Sequence, residues 1–312
     1  MALSESLRNR IPDLPEDPVG SARKPPSEPG SPPVPKASRL ACREATRKHA
    51  KTFHFASRFL RREQRRHAFA VYAYCRYIDD RIDEPANDRP PPPPDDLFAE
   101  NRRFLEGRHP APFAPAFART CRERGIPAGL LDELARGCCR DRGRVRIADR
   151  RELEEYCYLV ASVVGLMMAR VFGIARKKAY EHAVEMGLAM QLTNILRDIA
   201  EDHAKDRIYL PADELGERGL SVEDLLADGP SPAWRTYLAE ITGLARRYYR
   251  SAEAGVPNIV DPRGARTASV MGRVYGGILD EIERSGFDVR RRHYVPLARK
   301  VALAAGAFRV RR

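Results

Sequence analysis

One twelve-residue stretch, QLTNILRDIAED at residues 191–202, limits what this chain can fold into more than any other. Its apolar residues cover most of the circumference of a helix, and a helix that is apolar nearly all round is buried. Asn194, Asp198 and Asp202 nevertheless follow one another at intervals of four, which places them along one side of that helix. Buried carboxylates pair with basic groups or bind metal. The stretch therefore predicts a core helix that presents oxygen ligands to an interior site.

A second acidic stripe lies in YAYCRYIDDRID at residues 72–83. Pro85 predicts that this helix ends soon afterwards, where the helix dipole disfavours each added carboxylate by about 0.3–1 kcal/mol. Clustered carboxylates there would repel one another unless a cation lay between them. Either stripe alone is most simply read as a solvated helix face. The face shared at spacings of three and four carries Tyr72, Arg76, Asp79, Asp80 and Asp83.

If two such helices faced each other, successive carboxylates on each helix would be one turn, or about 6 Å, apart along its axis. Carboxylate and amide oxygens suit Mg²⁺, which bridges to substrate phosphates; Mn²⁺ is an alternative. Arginines beside the stripes either neutralise the carboxylates or bind a diphosphate with two hydrogen bonds. Metal ligands, arginines and an apolar interior together predict a site for a diphosphate ester with an apolar tail. The arginines are Arg76, Arg197 and Arg207.

Helical periodicity continues along the chain, and no strand-like alternation interrupts it. We therefore expect one all-α domain over residues 39–312. Residues 1–38 are rich in Pro, Ser, Gly and charge, which predicts a disordered tail. The run RPPPPP at 89–94 predicts a loop, because proline removes backbone donors. The predicted helices are 39–83 with a break near 52–60, 95–106, 115–124, 128–138, 151–172, 177–203, 232–254, 264–285 and 296–308.

The net charge of +12 is compatible with nucleic acid, an anionic membrane or a phosphorylated substrate, or simply with solvated arginine faces. The sequence contains no nucleic-acid-binding motif, so nucleic acid is not expected as a partner. Six cysteines without zinc-ligand spacing predict reduced thiols in a cytoplasmic protein. We also expect no secretory signal and no transmembrane helix, because no long uncharged apolar run occurs.

Five motifs resemble the squalene/phytoene synthase family of head-to-head prenyl transferases, most of all the bacterial phytoene synthases. The resemblance spans about residues 40–308 and implies an all-α isoprenoid-synthase fold, a single helical domain around a central cavity between the two aspartate-rich helices. The stretch at 137–151 departs from the family pattern, and only Asp141 and Asp149 keep its acidic character. The motifs are HAKTFHFAS (49–57), YAYCRYIDDRID (72–83), YCYLVASVVGLMMARVFG (156–173), QLTNILRDIAEDHAKDRIYLP (191–211) and VYGGILDEIERSGFDVRRRHYVPLARK (274–300).

The resemblance also implies a role for each matched residue. The implied metal ligands are Asp79, Asp83, Asn194, Asp198 and Asp202. The implied substrate-binding residues are His49, Lys51, Thr52, Phe53, Tyr72, Arg76, Gln191, Asn194, Arg197, Arg207 and Tyr275. The implied catalytic residues are Asp79, Asp83, Asp198, Asp202, Arg76 and Tyr156, and the candidates for the wall of the prenyl channel are Val160, Gly165 and Met168. Without the resemblance, His49 and Lys51 fit a surface helix start, and Phe53 and Tyr156 fit plain core.

The implied reaction has two stages. Mg²⁺ and arginines stabilise a departing diphosphate, and the double bond of a second prenyl diphosphate attacks the allylic cation. Proton loss gives a cyclopropylcarbinyl diphosphate, and a second ionisation rearranges it to a 1–1′ linked product. Water has to be excluded, or the cation becomes an alcohol. The departing diphosphate or a tyrosine would take the proton.

The expected activity is 15-cis-phytoene synthesis from two geranylgeranyl diphosphates, in carotenoid biosynthesis. A C30 reaction of farnesyl diphosphate that gives presqualene diphosphate, dehydrosqualene or squalene remains open, as does a non-catalytic assembly factor of the same fold. No glycine-rich dinucleotide motif or apolar C-terminal anchor is visible, so NADPH is not expected to be required. A greasy product and basic segments at 61–66 and 289–300 predict peripheral binding to an anionic membrane. The sequence leaves the oligomeric state open.

Overall fold

The computed structural model describes residues 3–17, 33–83 and 91–307, and nearly all of its regular structure is helical. The predicted all-α class is therefore confirmed. Helices α8 and α9 are joined by a π-helical turn at Tyr158–Ser162 into one element, Arg150–Phe172. The helices are α1 (Glu5–Arg8), α2 (Lys36–His49), α3 (Lys51–Ala56), α4 (Arg62–Asp83), α5 (Pro94–Leu105), α6 (Ala114–Arg124), α7 (Ala128–Cys139), α8 (Arg150–Cys157), α9 (Val163–Phe172), α10 (Ala179–His203), α11 (Ala212–Glu217), α12 (Val222–Asp228), α13 (Pro232–Gly255), α14 (Pro262–Arg284) and α15 (Leu297–Gly306).

Local sequence signals set several helix ends. Ser231 caps α13 by accepting from the backbone N–H of Trp234 at 3.3 Å, and Pro232 occupies the first helical position. Asp149 caps α8 in the same way, through the N–H of Glu152 at 2.8 Å. Asp149 therefore serves the helix start, and the acidic character that it keeps in the departing stretch has a structural explanation.

The long acidic helix α10 lies at the centre of the bundle, as its apolar pattern predicts. It packs against α9, α13 and α14, and Leu188, Leu192 and Leu196 are almost fully buried. Helix α4 packs against α2, α6, α7 and α9. Because α4 and α10 both pack on α9, the two acidic helices flank the same central element.

Two glycines allow α10 to approach the Arg150–Phe172 helix very closely. A Cβ on Gly187 would lie 2.4 Å from the Cα of Ser162, and one on Gly165 would lie 2.5 Å from the backbone oxygen of Ala183. Neither position can take a side chain without moving backbone. Gly165 was predicted to make room for the prenyl chain, whereas its missing side chain makes room for α10.

A pair of two-residue strands was not predicted. Strand β1 (Val145–Arg146) runs parallel to β2 (Arg207–Ile208), and the N–H of Val145 donates to the carbonyl of Asp206 at 3.1 Å. Strands this short carry no alternation that a sequence pattern can reveal. Their pairing brings the turn that follows α7 against the segment that follows α10.

Residues 3–17 belong to the fold, in contrast to the predicted disordered tail over residues 1–38. Leu3, Leu7 and Leu14 are buried in the main core. Asp17 forms a 3.0 Å ion pair with the buried Arg170. Composition averaged over the whole tail conceals this anchor, since three leucines suffice to attach the segment. Residues 18–32 of the predicted tail lie outside the described residues.

The remaining predicted helices agree with the structure to within a few residues, and the break after α2 falls at Ala50 with a second one at residues 57–61. Helices α11 and α12 were not predicted. Residues 91–93 of the proline run are non-helical, and the rest of the predicted loop before them lies outside the described residues. Among the described residues one element, Arg150–Phe172, has the length and apolar composition of a membrane span, and most of it is buried within the bundle.

Candidate active site

Side chains that stay partly accessible inside the bundle mark a central cavity. Val160, Val164 and Met168 recur every four residues on the Arg150–Phe172 helix and remain accessible, although this helix is packed between α4, α7 and α10. Their common face therefore borders an interior space. This accessible face lies between the two acidic helices, where the sequence predicts the cavity. Other partly accessible residues that fall on the inner faces are Tyr72, Cys75, Arg76 and Asp79 on α4, Gln191, Asn194, Asp198 and Asp202 on α10, and Met271 and Tyr275 on α14.

Asp79 lies in a recess near the end of α4. Its side chain is accessible to solvent, yet surrounding protein atoms desolvate the carboxylate and raise its pKa to about 6. The thiol of Cys138 on α7 contacts Asp79 Oδ1 at 3.4 Å, and Arg76 pairs with the neighbouring Asp80. The negative charge of Asp79 is thus only partly stabilised by neighbouring side chains.

Asp83, one turn further along α4, is held from the opposite side of the cavity. Arg207 Nη1 lies 2.9 Å from Asp83 Oδ1, and Lys205 Nζ lies 3.6 Å from Oδ2. Both basic residues follow α10 in the chain. These ion pairs bring the end of the acidic stripe on α4 next to the segment that follows the acidic stripe on α10.

Asp198 and Asp202 sit one turn apart on α10 in different surroundings. Arg197 binds both carboxylate oxygens of Asp198, at 2.8 and 2.5 Å, and Arg292 Nε lies 3.2 Å from Oδ1. Burial and the negative charge of Asp198 raise the pKa of Asp202 to about 7, with Lys205 opposing the shift. The helix therefore carries one carboxylate that arginines stabilise and one that carries a raised pKa.

Several polar atoms at the site lack a partner within the part of the chain that the structure describes. They are buried and include Asn194 Oδ1, Arg76 Nε and Arg207 Nε. Asn194 uses its amide nitrogen to donate to Gln191 at 3.2 Å, which leaves its oxygen free to act as an acceptor. An unpaired amide oxygen beside crowded carboxylates fits a hard divalent cation, and unpaired guanidinium N–H groups fit a diphosphate. The residues present therefore fit the Mg²⁺ that the acidic stripes predict.

Tyr156 is buried and binds a further carboxylate, that of Asp141. Its hydroxyl donates to Asp141 Oδ2 at 3.0 Å, and the hydroxyl of Tyr209 donates to Asp141 Oδ1 at 2.7 Å. The two tyrosine rings stack with centroids 4.8 Å apart. Burial raises the pKa of Asp141 to about 6 despite these two hydrogen bonds. Tyr156 is therefore a buried core residue whose hydroxyl also has a defined hydrogen-bond acceptor.

The HAKTF segment forms the junction of α2 and α3. Phe53 is buried, and its ring centroid lies 6.0 Å from that of Tyr72, which joins the junction to α4. His49 and Lys51 are exposed at the junction, and Thr52 is half-buried. Burial and the charge of Lys51 lower the pKa of Lys300 on α15, so the two ammonium groups lie near each other at this edge.

Tyr275 reaches the carboxylates of α10 from α14. Burial raises its pKa, and Arg197 opposes the shift through its charge and a hydrogen bond. Arg197 therefore stands between Tyr275 and Asp198. The structure therefore brings together four of the residues predicted for the site, which are Tyr275, Arg197, Asp198 and Asp202.

Four residues of the site were not assigned to it from the sequence. Asp141 and Tyr209 lie outside the acidic stripes, and Arg292 falls in a basic run that was interpreted as membrane-binding. Lys205 is the ion-pair partner of Asp83. The order LRDIAEDHAKDR contained a signal for Lys205, because a basic residue just after an acidic helix lies near its last turn. Contacts of Asp141 and Arg292 join segments remote in sequence, for which a single sequence offers no periodic signal.

A model of the squalene/phytoene synthase family matches residues 46–300 of this chain. Phytoene synthase of Thermus thermophilus is 37% identical over 263 residues, which cover 84% of this chain and 89% of that protein. A chloroplastic phytoene synthase of Zea mays is 35% identical over 289 residues, which cover 88% of this chain and 66% of that protein.

Solved structures give the same picture. A ligand-bound dehydrosqualene synthase superposes with a TM-score of 0.79 at 26% identity, covering 87% of this chain and 95% of that chain. A squalene synthase from Alicyclobacillus acidocaldarius superposes with a TM-score of 0.73 at 28% identity, covering 83% of this chain and 98% of that chain. With its acidic helices facing one central cavity, the chain belongs to the squalene/phytoene synthase family and is a prenyltransferase of the isoprenoid-synthase fold.

Proposed function

We propose that the protein is a phytoene synthase, which joins two geranylgeranyl diphosphates head to head through a cyclopropylcarbinyl diphosphate. The observation that carries the proposal is the pair of carboxylate stripes on two helices that flank the accessible apolar face of the Arg150–Phe172 helix, in a chain 37% identical to a bacterial phytoene synthase. A carboxylate cluster serves the diphosphate end of such a substrate, and the apolar face at Val160, Val164 and Met168 serves its hydrocarbon chain.

Mg²⁺ would be held by Asp79, Asp83, Asn194, Asp198 and Asp202, with Mn²⁺ as a substitute, and would supply Lewis-acid stabilisation of the diphosphate that leaves. Arg76 and Arg207 offer unpaired N–H groups in positions to bind diphosphate oxygens. The buried helices around the cavity exclude water, which keeps the allylic cation from forming an alcohol. Tyr156 places a hydroxyl beside the carboxylates, where a proton has to leave the substrate.

A second candidate function uses farnesyl diphosphate and gives a C30 product. The fold superposes well on a dehydrosqualene synthase, and the metal site would be the same in both reactions. The two functions differ in the length of cavity that the hydrocarbon needs. A non-catalytic role within the same fold is disfavoured, because both acidic stripes and Asn194 are intact and lie on the inner faces.

The test is to incubate the purified protein with geranylgeranyl diphosphate or farnesyl diphosphate, with Mg²⁺ or a chelator, and with or without NADPH. We expect a C40 hydrocarbon from geranylgeranyl diphosphate that requires Mg²⁺ and does not require NADPH. Faster turnover of farnesyl diphosphate would favour the second candidate. If neither substrate gave a hydrocarbon or a cyclopropyl diphosphate, the proposed enzyme function would be wrong.

We further propose that the protein is cytoplasmic and binds an anionic membrane surface peripherally. Tyr294, Leu297 and Val301 expose 67, 71 and 52% of their surfaces around the start of α15, and the exposed Arg290 and Arg291 precede them. Exposed apolar residues beside basic ones suit a leaflet of anionic lipids. A product of forty carbons would leave into lipid far more readily than into water, since each CH₂ transferred to water costs about 0.8 kcal/mol. The other predicted basic segment, 61–66, is partly used inside the protein, as Arg61 pairs with Asp261 at 3.2 Å.

A further inference from the structure

Asp141 lies outside both acidic stripes, in the turn that follows α7, yet it stands among their carboxylates. Its charge contributes to raising the pKa of Asp79 and of Asp202. Another carboxylate in this cluster makes the electrostatic repulsion worse, so its position calls for an explanation. Its two side-chain contacts, to Tyr156 and Tyr209, provide one.

Both oxygens of the Asp141 carboxylate accept a hydrogen bond from a tyrosine. Tyr209 donates to Oδ1 at 2.7 Å, and Tyr156 donates to Oδ2 at 3.0 Å. The rings of the two tyrosines stack at 4.8 Å with planes 22° apart. Tyr209 therefore fixes the rotation of the carboxylate, and the carboxylate fixes the direction of the Tyr156 hydroxyl.

The backbone around Asp141 is held as firmly as its side chain. Arg207 Nη2 donates to the Asp141 carbonyl at 2.6 Å, while Nη1 of the same arginine pairs with Asp83 at 2.9 Å. The strand pair Val145–Arg146 and Arg207–Ile208 ties the same two segments together. One arginine thus sets the distance between the Asp141 turn and the acidic stripe on α4.

The direction of the Tyr156 hydroxyl has a chemical consequence. A phenol has one proton to donate and two lone pairs to accept with. The proton points to Asp141, and the Tyr209 hydroxyl lies within hydrogen-bonding reach of Tyr156, so one lone pair of the Tyr156 oxygen remains available to accept a further proton. Tyr156 itself is only 3% exposed, so bulk water has little access to it. Burial raises the pKa of Asp141 to about 6, so this carboxylate binds a proton more readily than an exposed aspartate does.

We propose that Asp141, oriented by Tyr209, is a positioning residue that makes Tyr156 the proton acceptor in the cyclopropane-forming step; this inference rests on the proposed head-to-head function. In that step a C–H bond of the substrate cation breaks, and its electron pair forms the new C–C bond of the ring. The proton passes to the Tyr156 oxygen while the phenol proton moves to Asp141. Asp141 is left as a neutral acid. When Tyr156 later gives a proton to the released diphosphate, Asp141 returns its own proton to Tyr156.

A similar tyrosine–carboxylate bond elsewhere in the protein provides a matched control. Tyr248 on α13 is buried and donates to Glu154 at 2.8 Å. Glu154 lies on the same helix as Tyr156, two residues before it. Removal of the Tyr248 hydroxyl should therefore disturb stability in a similar way without touching the carboxylate cluster.

The experiment measures kcat and KM for geranylgeranyl diphosphate with Mg²⁺ in the unaltered protein and in Asp141→Asn, Tyr209→Phe, Tyr156→Phe and Tyr248→Phe. Asp141→Asn and Tyr156→Phe should each lower kcat about a hundredfold, at the lower end of what a positioned proton acceptor supplies, with KM nearly unchanged. Tyr209→Phe removes a single hydroxyl and should lower kcat about tenfold by the same route. Tyr248→Phe should stay within about twofold of the unaltered protein.

The double variant Asp141→Asn/Tyr156→Phe is decisive. If Asp141 acts through Tyr156, the double variant should be no slower than Tyr156→Phe alone, since the partners act as a unit. Three results would overturn the inference and leave the proposed function standing. They are a double variant whose loss of kcat is the product of the two single losses, variants that raise KM and leave kcat unchanged, and a loss of kcat in Tyr248→Phe as large as that in Tyr156→Phe. An unaltered protein that made no prenyl product would overturn the proposed function and the inference with it.

Discussion

Replacing Asp202 with asparagine should stabilise the metal-free protein, although the residue is a predicted metal ligand. The folded-state pKa of Asp202 is about 7, compared with an ordinary value of 3.8. Between these pH values the folded protein holds a proton on Asp202 that the unfolded chain has already lost. Stability therefore falls as the pH rises from about 4 toward 8, and the full penalty is present above the folded-state pKa. Asparagine carries no charge and avoids that penalty.

The size of the effect follows from the pKa. A shift of three pKa units corresponds to about 4 kcal/mol at 1.36 kcal/mol per unit. Asp202 is partly accessible, so solvent screening and relaxation reduce this figure to about 1–2 kcal/mol. For a chain of this length, that is a rise in Tm of about 2–4 °C at pH 8. At pH 5 the penalty is smaller, because it grows from about pH 4 upward, and the rise in Tm of the variant should be smaller there than at pH 8.

Asp198 on the next turn should behave in the opposite way. Arg197, whose side chain is only 13% exposed, binds both of its carboxylate oxygens. Asp198→Asn would leave that guanidinium without its counter-charge, which should cost about 1–2 kcal/mol after allowance for solvent at Arg292. The sequence alone suggested that all the carboxylates repel one another in the absence of metal, and the ion pair of Asp198 shows that they are not equivalent.

The assay is thermal unfolding followed by circular dichroism in a chelator, at pH 5 and at pH 8, for Asp202→Asn, Asp198→Asn and the unaltered protein. Asp228→Asn, at an exposed position at the end of α12, is the control and should not change Tm. Destabilisation by Asp202→Asn, of equal size at both pH values, would refute the argument. It would mean that Asp202 is a structural hydrogen-bond acceptor and not a strained carboxylate.

Three further outcomes are expected. Gly187→Ala should destabilise the protein by about 1–3 kcal/mol, because its Cβ would lie 2.4 Å from the Cα of Ser162 in the turn before α9. The control Gly243→Ala, whose Cβ would make only an ordinary contact, should be neutral or stabilising, and chemical denaturation measures both variants. Deletion of residues 1–17 should lower Tm, because it removes three buried leucines that each contribute about 1.5–3 kcal/mol of burial free energy. An unchanged Tm would mean that the segment does not contribute to the stability of the fold. The protein should co-sediment with anionic vesicles more than with neutral ones, and less so at high salt. Charge-reversing substitutions at the exposed Arg290 and Arg291 should abolish the difference, and equal binding to both vesicles would contradict electrostatic docking.

The sequence predicted the helices and the site carboxylates because both depend on local spacing. Helix α10 shows this most clearly, since its apolar residues predict burial and its four-residue acidic repeat predicts a common face. The chain-wide absence of strand periodicity likewise predicted the fold class. The sequence predicted the partner that α10 faces only because α4 carries a second acidic stripe.

The features that were missed depend on contacts between remote segments. Asp141 lies 15 residues from Tyr156 and 68 from Tyr209, and it follows a helix in a turn without periodicity. The N-terminal anchor was missed because proline-rich composition in 18–32 outweighed Leu3, Leu7 and Leu14. In both cases the deciding contact forms only after the helical bundle has assembled.

The ratio of diphosphate released to hydrocarbon formed tests the central claim most directly. In a head-to-head condensation, each C40 hydrocarbon consumes two geranylgeranyl diphosphates and releases two diphosphates, one in each ionisation. With Mg²⁺ and without NADPH, we therefore predict a final ratio of two. While cyclopropyl diphosphate accumulates, one diphosphate is released for each molecule of it, so the ratio of diphosphate to hydrocarbon starts above two and falls to two. Release of one diphosphate for each prenyl alcohol, with no coupled product, would contradict the claim that the cavity joins two substrates and excludes water.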